Sequence, residues 1–576
     1  MEPLVPKEEF EKTKKVVGEF EEKEGKKLQE ELVAKDKANK KTSYISKPWY
    51  DMYLESRDPL PINVNPFIQL AEDPLKREMV SRGASLIRSA VRFYETLKAE
   101  KLEPDVFVMK GSKYDKYKHL LHLLPSSIAS YPAILLKAYP LDMSQYKFLF
   151  GTSRVPKVGK DSLQQNSSLH AVVVHNNCFY KLFLYSEEGK ACSEEELAAQ
   201  LKQIVEEKSE CARGEEVCLL TTENRDVWAK AREELITSSH VNSRSLEEIS
   251  SAMFVVSLEK ESHDNFEASN RQFLHGEGRN RWFDKSFSLI LDPKGNAAVN
   301  FEHSWGDGVA VLRFVEEVHK DSLKKTPVDL SHLPSVGKPH KLEWRLSAAT
   351  KEAIREAGER FDCHAKSVDY AHGRVELGAS LFKKKGISPD GTLQMAFQIA
   401  YYKMYGSTVS TYESASTAAF KHGRTETIRS ATVESLQLTR SFLSPSSTTH
   451  EKREALHKAA AKHSLLTREA VMGQGCDRHL FALRDLSRRE HPSSPLPTIF
   501  TDPSYSILNQ NILSTSTLTS PSIRGGGFGP VHSNGFGVGY GVMDEFCEFN
   551  VTSYSGDTKD FVQCIIQTLK EIEHNL

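Results

Sequence analysis

The stretch of sequence that organises this chain is residues 300–314, which read N-F-E-H-S-W-G-D-G-V-A-V-L-R-F. The pattern predicts a strand before the Gly-Asp-Gly turn and a helix after it, with His303 held between them. An imidazole with a pKa near ~6.5 can take a proton from an alcohol or a thiol and return it, as acyl transfer requires. Asp307 would either orient the ring or brace the turn. A lone histidine among 21 is otherwise most often a satisfied structural residue.

The charge balance limits the classes of partner. The 576 residues carry 76 Lys and Arg against 78 Asp and Glu, a net charge of −2. A protein that binds nucleic acid by neutralising phosphates would carry a marked basic excess, so nucleic acid is excluded as a partner. Mean hydropathy is −0.46, and the sequence has no run of 18 apolar residues, which excludes a spanning helix but not attachment to a membrane surface.

Eight cysteines without a CxxC pair are typical of a reducing compartment and predict no structural zinc site. The N-terminus has the features of neither a signal peptide nor a transit peptide.

Helical and strand patterns alternate along the chain, which predicts an α/β protein. The predicted helices are 7–40 (as one or two helices), 77–100, 188–208, 225–238, 348–361, 390–405, 450–471 and 558–574. The predicted strands are a hairpin over 171–184, then 252–258, 286–291 and a β region over 514–541. The Pro-containing segment 321–342 is the best linker, so we expect a first domain over 79–344 and a second formed by 1–78 plus 345–576.

Three further segments carry polar chemistry, each with a plainer alternative. Residues 411–417 and 420–429 combine hydroxyls with Arg424 and Arg429, which suits a small polar or zwitterionic ligand, or else a Ser/Thr-rich loop with surface arginines. Residues 513–517 offer hydroxyls to an oxyanion, or form an ordinary strand. Lys383 to Lys385 would hold phosphates or face solvent. The glycines from 525 to 541 do not form a dinucleotide-binding motif.

Several long motifs together resemble the carnitine/choline acyltransferase family, and most closely its long-chain mitochondrial members. They include T-S-Y-I-S at 42–46, P-W-Y-D-M-Y at 48–53, A-Y-P-L-D-M-S-Q-Y at 138–146, T-E-N-R-D at 222–226, N-R-W-F-D-K-S at 280–286 and G-Q-G-C-D-R-H-L at 473–480. The HxxxDG spacing from His303 to Gly308 is part of the resemblance. Glu302 stands where CoA-dependent acyltransferases usually carry a second histidine.

The resemblance implies two CoA-dependent-acyltransferase-like domains with an active-site tunnel at their interface. It implies reversible transfer of long-chain acyl groups such as palmitoyl between carnitine and coenzyme A, in fatty-acid β-oxidation and without an acyl-enzyme. His303 is then the general base, Asp307 its acidic partner and Ser516 the hydroxyl near the oxyanion. The implied carnitine-binding residues are Tyr412, Ser414, Thr425 and Arg478, and the implied CoA-binding residues are Gly378, Lys383, Lys384, Ser388 and Asp390.

Gly526, where short-chain members of the family carry a bulky residue, predicts room for a long acyl tail. Residues 110–137 match a membrane-associating insertion, and their mix of Lys, Tyr, Leu and Ile favours an interfacial segment over a plain surface helix and loop. The resemblance further implies a monomer at the matrix side of the mitochondrial inner membrane, needing no cofactor because CoA and acyl-CoA are substrates. The family's targeting presequence has no counterpart in this sequence, and the last residues, EIEHNL, do not form a peroxisomal signal.

Two other functions stay open. The chain could be a short- or medium-chain carnitine acyltransferase, or a catalytically silent acyl-CoA-binding protein.

Overall fold

A computed structural model describes residues 1–109, 111–121, 123–124 and 126–576. Nineteen α-helices occur in this part of the chain. They are α1 (Lys7–Glu22), α2 (Glu24–Ala38), α3 (Ser46–Glu55), α4 (Met79–Lys98), α5 (Tyr114–Leu121), α6 (Ser126–Leu135), α7 (Glu194–Glu206), α8 (Arg225–Ser238), α9 (His240–Ser251), α10 (Phe266–Leu274), α11 (Gly308–Leu323), α12 (Ala348–Ser367), α13 (Ala379–Lys384), α14 (Pro389–Tyr405), α15 (Val433–Leu443), α16 (Thr449–Val471), α17 (Asp477–Glu490), α18 (Pro503–Leu508) and α19 (Thr558–Asn575).

The described residues also form eighteen strands. They are β1 (Phe67–Leu70), β2 (Val106–Val108), β3 (Ala138–Pro140), β4 (Thr152–Val155), β5 (Ser162–Gln165), β6 (His170–His175), β7 (Cys178–Phe183), β8 (Val255–Leu258), β9 (Phe287–Leu291), β10 (Ala297–Phe301), β11 (His340–Lys341), β12 (Asp369–Val375), β13 (Thr411–Ser416), β14 (Thr425–Ile428), β15 (Leu513–Thr517), β16 (Ile523–Gly527), β17 (Phe536–Val542) and β18 (Cys547–Ser553).

The larger sheet has eight strands in the order β11-β7-β6-β8-β9-β10-β1-β16. Its central strands β6, β8, β9 and β10 are buried along their whole length, because helices cover both faces. One face packs against α4, α7 and α11, and the other against α8, α9 and α12. Two strands from distant parts of the sequence, β1 and β16, pair antiparallel to complete the sheet beside β10.

The second sheet has six strands in the order β12-β18-β17-β15-β13-β14. Strands β13, β15 and β17 run parallel, with Tyr412 opposite Ser514 and Ser514 opposite Gly537. Helices α14 and α19 cover one face of this sheet and form with it an apolar core that includes Phe397 and Ile565. The mixed α/β fold class is therefore confirmed.

The predicted elements are present with shifted boundaries. The hairpin of β6 and β7 forms, and the first predicted helix is a pair, α1 and α2. The helix predicted from residue 188 begins at Glu194, because the Ser193 side chain caps it in a capping box with Glu196. All eight cysteines are free. The predicted division into domains 79–344 and 1–78 plus 345–576 stays a prediction, although residues 324–339 contain no helix or strand.

The predicted membrane-associating segment contains α5 and α6, which pack near the small sheet of β2 and β3. Lys110, His122 and Pro125 lie outside the described residues. Large apolar side chains are exposed in this segment and just before it: Phe107, Met109, Leu120, Leu123, Tyr131 and Leu135, the last at 85%. Within the described ranges, no helix has both the length and the apolar character needed to cross a membrane.

Candidate active site

A cavity of about 650 Å³ lies between the two sheets. Strands β1 and β16 line it from the larger sheet, and β13, β14 and β15 from the smaller one. The residues predicted for catalysis, for carnitine binding and for the acyl tunnel all line this cavity: His303, Asp307, Ser516, Tyr412, Ser414, Thr425, Arg478 and Gly526. The fold thus brings together residues that are scattered over more than two hundred positions of the sequence.

His303 follows the end of β10, and its ring nitrogens have different surroundings. Its Nδ1 lies 3.0 Å from the carbonyl oxygen of Gly306. A carbonyl only accepts hydrogen bonds, so this contact assigns the proton to Nδ1 and leaves Nε2 with a free lone pair. The ring of Tyr53, on α3, stacks on the imidazole with centroids 5.4 Å apart. The side chain is 27% exposed, so the ring is held in place yet reachable from the cavity.

Asp307 braces the turn instead of bonding to the imidazole. Its nearest oxygen is 4.0 Å from His303 Nδ1, while Arg424 contacts both of its oxygens at 2.8 and 3.1 Å. Arg424 also donates to the carbonyl oxygens of Ser304 and His303, and Gln145 bonds both the side chain and the backbone of Asp307. Burial alone would raise the pKa of Asp307, but Arg424 holds that pKa below its ordinary value.

Glu302 turns away from the cavity. It lies 3.0 Å from Arg154 Nη1 and accepts hydrogen bonds from the backbone N–H and the hydroxyl of Ser304. Only 1% of the residue is exposed. The position that usually carries a second histidine therefore holds a carboxylate, which anchors the His303 turn on the side away from the cavity.

Arg478 organises three hydroxyls of the cavity wall: those of Tyr412 and Thr425, predicted to bind carnitine, and that of Thr427, which the sequence did not single out. Its guanidinium donates to Tyr412 OH at 2.9 Å and to Thr425 Oγ1 and Thr427 Oγ1 at 3.0 Å each. It also donates through Nε to the Thr425 carbonyl oxygen and lies 4.2 Å from the centre of the Trp49 ring. Since the three hydroxyl oxygens accept from Arg478, their own protons are free to point into the cavity.

Arg424 and Arg429, the two arginines of the segment predicted to suit a small ligand, are each paired with a carboxylate of the protein. Arg424 is paired with Asp307. Arg429 is paired with Asp477 and also bonds Asn511 and the Leu508 carbonyl oxygen. Both guanidinium groups already donate to oxygens of the protein. They hold turns and helix ends around the cavity in place.

The strand β15 supplies hydroxyls on its cavity side. Ser514 and Ser516 line the cavity, and so do Thr515 and Thr517 of the same strand. Thr515 donates to the Tyr412 carbonyl oxygen at 2.9 Å and accepts from Gln394. Ser516 is therefore available to the cavity.

The residues predicted to bind CoA do not line the cavity. Gly378 packs so closely on Asp544 that a Cβ would lie 2.3 Å from its carbonyl oxygen. The next residue, Ala379, donates to the carbonyl oxygen of Met543, which does line the cavity. Lys383 and Lys384 are exposed at the end of α13. Lys385 instead donates to the carbonyl oxygen of Leu576.

Ser388 caps α14 by accepting from the Gly391 N–H. Asp390 belongs to a cluster behind β13 that the sequence did not indicate. Tyr540 OH donates to Asp390 at 2.6 Å and lies 3.2 Å from Glu413, and His463 Nε2 lies 2.8 Å from Glu413. This cluster ties the beginning of α14 to the reverse face of the strand that carries Tyr412 and Ser414.

Gly526 lies in β16 opposite Ile68 of β1. A Cβ at this position would lie 2.8 Å from the Phe67 carbonyl oxygen. Gly525 and Gly527 flank it along the cavity wall, so this stretch of wall has no side chains to fill the space.

Comparison with known proteins gives a consistent result. Residues 1–567 match the family model described as choline/carnitine O-acyltransferase. Mitochondrial carnitine O-palmitoyltransferase 2 of Homo sapiens is 43% identical over 583 residues, covering 99% of this chain and 88% of that protein. A putative mitochondrial carnitine O-acetyltransferase of Saccharomyces cerevisiae is 31% identical over 93% of this chain and 84% of its own length. Choline O-acetyltransferase of Mus musculus is 32% identical over 96% of this chain and 86% of its own length.

Proposed function

The chain belongs to the choline/carnitine O-acyltransferase family and is an acyltransferase, and we propose that it transfers long-chain acyl groups reversibly between carnitine and coenzyme A. Palmitoylcarnitine and CoA would give palmitoyl-CoA and L-carnitine, a reaction of fatty-acid β-oxidation. One observation carries the proposal: the reachable Nε2 of His303 and the hydroxyl cluster of Arg478 line the same cavity. The similarity to carnitine O-palmitoyltransferase 2 supports the choice of acyl group.

His303 acts as the general base in this mechanism. Its Nε2 takes the proton of the carnitine hydroxyl, and the oxygen attacks the thioester carbonyl carbon to form a tetrahedral intermediate. Ser516 donates a hydrogen bond to the developing oxyanion. The C–S bond then breaks, the thiolate receives the proton from His303, and acylcarnitine and CoA leave without an acyl-enzyme.

The carnitine carboxylate binds to the hydroxyls of Tyr412 and Thr425, with Ser414 beside them. Arg478 supplies the positive charge behind these hydroxyls and fixes the direction of their protons. Lys383 and Lys384 meet the phosphates of CoA, in a segment that begins at Gly378, packed on Asp544, and continues to Ser388 and Asp390 at the start of α14. No cofactor takes part, because proton transfer and charge stabilisation are assigned to side chains.

The exposed apolar side chains around α5 and α6 support attachment to a membrane surface, and we propose the matrix face of the mitochondrial inner membrane. Relatives named as mitochondrial support this location. We propose that the enzyme acts as a monomer, which light scattering on the purified protein would test.

Release of free thiol from palmitoyl-CoA on addition of L-carnitine tests the function. The His303→Ala variant is expected to lose turnover while keeping its melting temperature. The His332→Ala variant is the control, because the His332 side chain is 84% exposed and lies outside the cavity lining. Comparable rates for His303→Ala and the wild type would refute the assignment of the base.

Rates with acetyl-, octanoyl- and palmitoyl-CoA separate a long-chain enzyme from a short- or medium-chain one. The comparison is needed because relatives from yeast and mouse are named acetyltransferases. Binding of palmitoyl-CoA without carnitine-dependent thiol release would indicate the silent binding protein.

A further inference from the structure

A buried chain of alternating charges lies behind the His303 turn. Arg154 contacts Glu302 at 3.0 Å and Asp161 at 2.8 Å. Asp161 contacts Arg225 at 2.7 Å, and Arg225 contacts Asp284 at 2.7 Å. The side chains of Arg154, Asp161, Arg225 and Glu302 are at most 1% exposed. Opposite charges alternate from Glu302 to Asp284 in this row of ion pairs, so each buried charge has a partner.

Arg154 also reaches the residue that stacks on the imidazole. Its Nη2 donates to the carbonyl oxygen of Tyr53 at 2.6 Å. Tyr53 lies in the last turn of α3, where backbone carbonyls lack partners within the helix, and Arg154 supplies one. The ring of Tyr53 stacks on His303 with an interplanar angle of 20°.

One guanidinium group thus joins the two supports of His303. The guanidinium donates to Glu302, the residue just before His303, and Glu302 in turn accepts from the N–H of Ser304, the residue just after it. Arg154 therefore holds the backbone on both sides of His303 through Glu302. Through the Tyr53 carbonyl it fixes the helix end that carries the stacking ring. We propose that Arg154 is a positioning residue for the general base, an inference that rests on the proposed function. It acts on His303 through Glu302 and Tyr53.

Arg225 provides a matched comparison within the same charge chain. Its side chain is as deeply buried as that of Arg154 and contacts the same oxygen of Asp161. Its other ion pair is with Asp284, and Asp284 also accepts from the Trp228 indole. A change at Arg225 therefore weakens the buried charges without touching either support of His303.

The test compares Arg154→Lys with Arg225→Lys. A lysine keeps the charge but cannot bond Glu302, Asp161 and Tyr53 at once. At a temperature well below both melting transitions, Arg154→Lys is expected to lower kcat by about 10- to 100-fold while both KM values stay within about threefold. The kcat of Arg225→Lys is expected to stay within about twofold of the wild type. Equal losses of kcat in the two variants would overturn the proposal.

A second readout does not depend on turnover. Hydrogen–deuterium exchange at the C2 position of each histidine, followed by mass spectrometry, reports how exposed each ring is. In Arg154→Lys the exchange of His303 is expected to accelerate, while that of His319, buried on α11, stays unchanged. Arg225→Lys should leave both rates as in the wild type. A wild type without turnover would refute the proposed function, and an unchanged His303 exchange rate in Arg154→Lys would refute the role of Arg154.

If Arg154→Lys folds poorly, a second variant that removes both members of the ion pair tests the same proposal. In the double variant Arg154→Met with Glu302→Leu, apolar groups replace the ion pair, an exchange that often leaves stability unchanged. The same loss of kcat and the same faster exchange at His303 are expected. A wild-type kcat together with a wild-type exchange rate at His303 in the folded double variant would contradict the proposal.

Discussion

At the scale of the residue, the hydroxyl of Tyr412 illustrates how Arg478 acts through its neighbours. The Tyr412 oxygen accepts a hydrogen bond from Arg478 and therefore directs its proton elsewhere. Burial alone would lower the pKa of Arg478, but Tyr412 and the carboxylates of Glu426 and Asp477 hold it above its ordinary value. A permanent positive charge thus stands behind each hydroxyl, which strengthens it as a donor to a carboxylate.

Replacing Tyr412 by Phe removes one of these donors and should weaken carnitine binding. We expect the KM for carnitine to rise about tenfold, the effect of losing one hydrogen bond to a charged group, with the KM for palmitoyl-CoA nearly unchanged. Initial-rate kinetics with each substrate varied in turn would measure this. Tyr405→Phe, at a position 40% exposed on α14, is the control. A rise in the palmitoyl-CoA KM equal to that for carnitine would count against the assignment.

The sequence analysis named several residues that the structure places along one cavity, but not the residues that hold them. His303, Tyr412, Thr425 and Arg478 stand in recognisable local patterns. Arg424, in contrast, meets Asp307 across 117 positions of the chain. Local patterns do not contain such a pairing, because it depends on how the two sheets face each other. For that reason the sequence suggested a ligand for Arg424, and the structure gives it a structural partner.

At the scale of the element, the cluster of Asp390, Glu413, His463 and Tyr540 joins α14, β13, α16 and β17. Burial, followed by the nearby charge of Asp390, raises the pKa of Glu413 to about 6. Burial would lower the pKa of His463, but the contact with Glu413 raises it overall. The folded cluster therefore keeps protons that the unfolded chain releases.

This cluster predicts a stability that falls as the pH rises. Groups whose pKa is raised on folding stabilise the protein below their unfolded pKa, and that contribution is lost as the pH rises through the folded pKa. For Glu413 the window runs from 4.5 to about 6 and corresponds to about 2 kcal/mol. His463 extends the window above 6.5. Gln394 also faces the cluster and donates to Tyr540 OH.

Melting temperatures measured from pH 5 to pH 8 would test this prediction. The melting temperature of the wild type is expected to fall more steeply with pH than that of Glu413→Gln, which has no carboxylate to ionise. Glu359→Gln is the control, because the Glu359 side chain is 66% exposed on α12. Parallel curves for the wild type and Glu413→Gln would rule out the cluster as the cause.

The pairing of β1 with β16 predicts how chain length is selected. Gly526 faces the cavity where a Cβ would press on the Phe67 carbonyl oxygen of β1. A large side chain here would both fill the cavity and push the two strands apart. Gly526→Met is therefore expected to lower the rate with palmitoyl-CoA by about tenfold or more relative to acetyl-CoA.

Rates with acetyl-, octanoyl- and palmitoyl-CoA, each divided by the wild-type rate, measure the effect of Gly526→Met. Gly18→Met, on the surface helix α1 where a Cβ meets nothing within 4 Å, is the control. A uniform loss across the three chain lengths would mean that the substitution damages the fold and does not select the acyl group.

The alternation of helices and strands was readable from the sequence because apolar runs and turn residues are local signals. The pairing of β1 with β16 was not, although β16 lies inside the β region predicted over 514–541. Strand β1 pairs with β10 and β16, whose residues lie more than two hundred and more than four hundred positions away. Short strands of four or five residues carry little pattern of their own, so only the assembled sheet defines their partners.

At the scale of the whole molecule, one surface differs from the rest. Phe107, Leu120, Leu123, Tyr131 and Leu135 are between 54% and 85% exposed and belong to one segment of the chain. Exposed Lys113 and Lys116 accompany them. Apolar side chains with lysines beside them are typical of a surface that rests in a lipid interface, and each Leu buried there would contribute about 1.5–3 kcal/mol.

The double variant Leu123→Glu with Leu135→Glu should therefore release the protein from membranes while leaving the cavity intact. We expect the wild type to float with vesicles of phosphatidylcholine and phosphatidylglycerol, and the double variant to stay in the unbound fraction. The rate with short-chain, water-soluble acyl-CoA should be the same for both. Leu75→Glu with Val158→Glu is the matched control, because these positions are 65% and 64% exposed in other parts of the chain. Flotation of Leu123→Glu with Leu135→Glu at the wild-type level would show that this surface does not hold the enzyme to lipid.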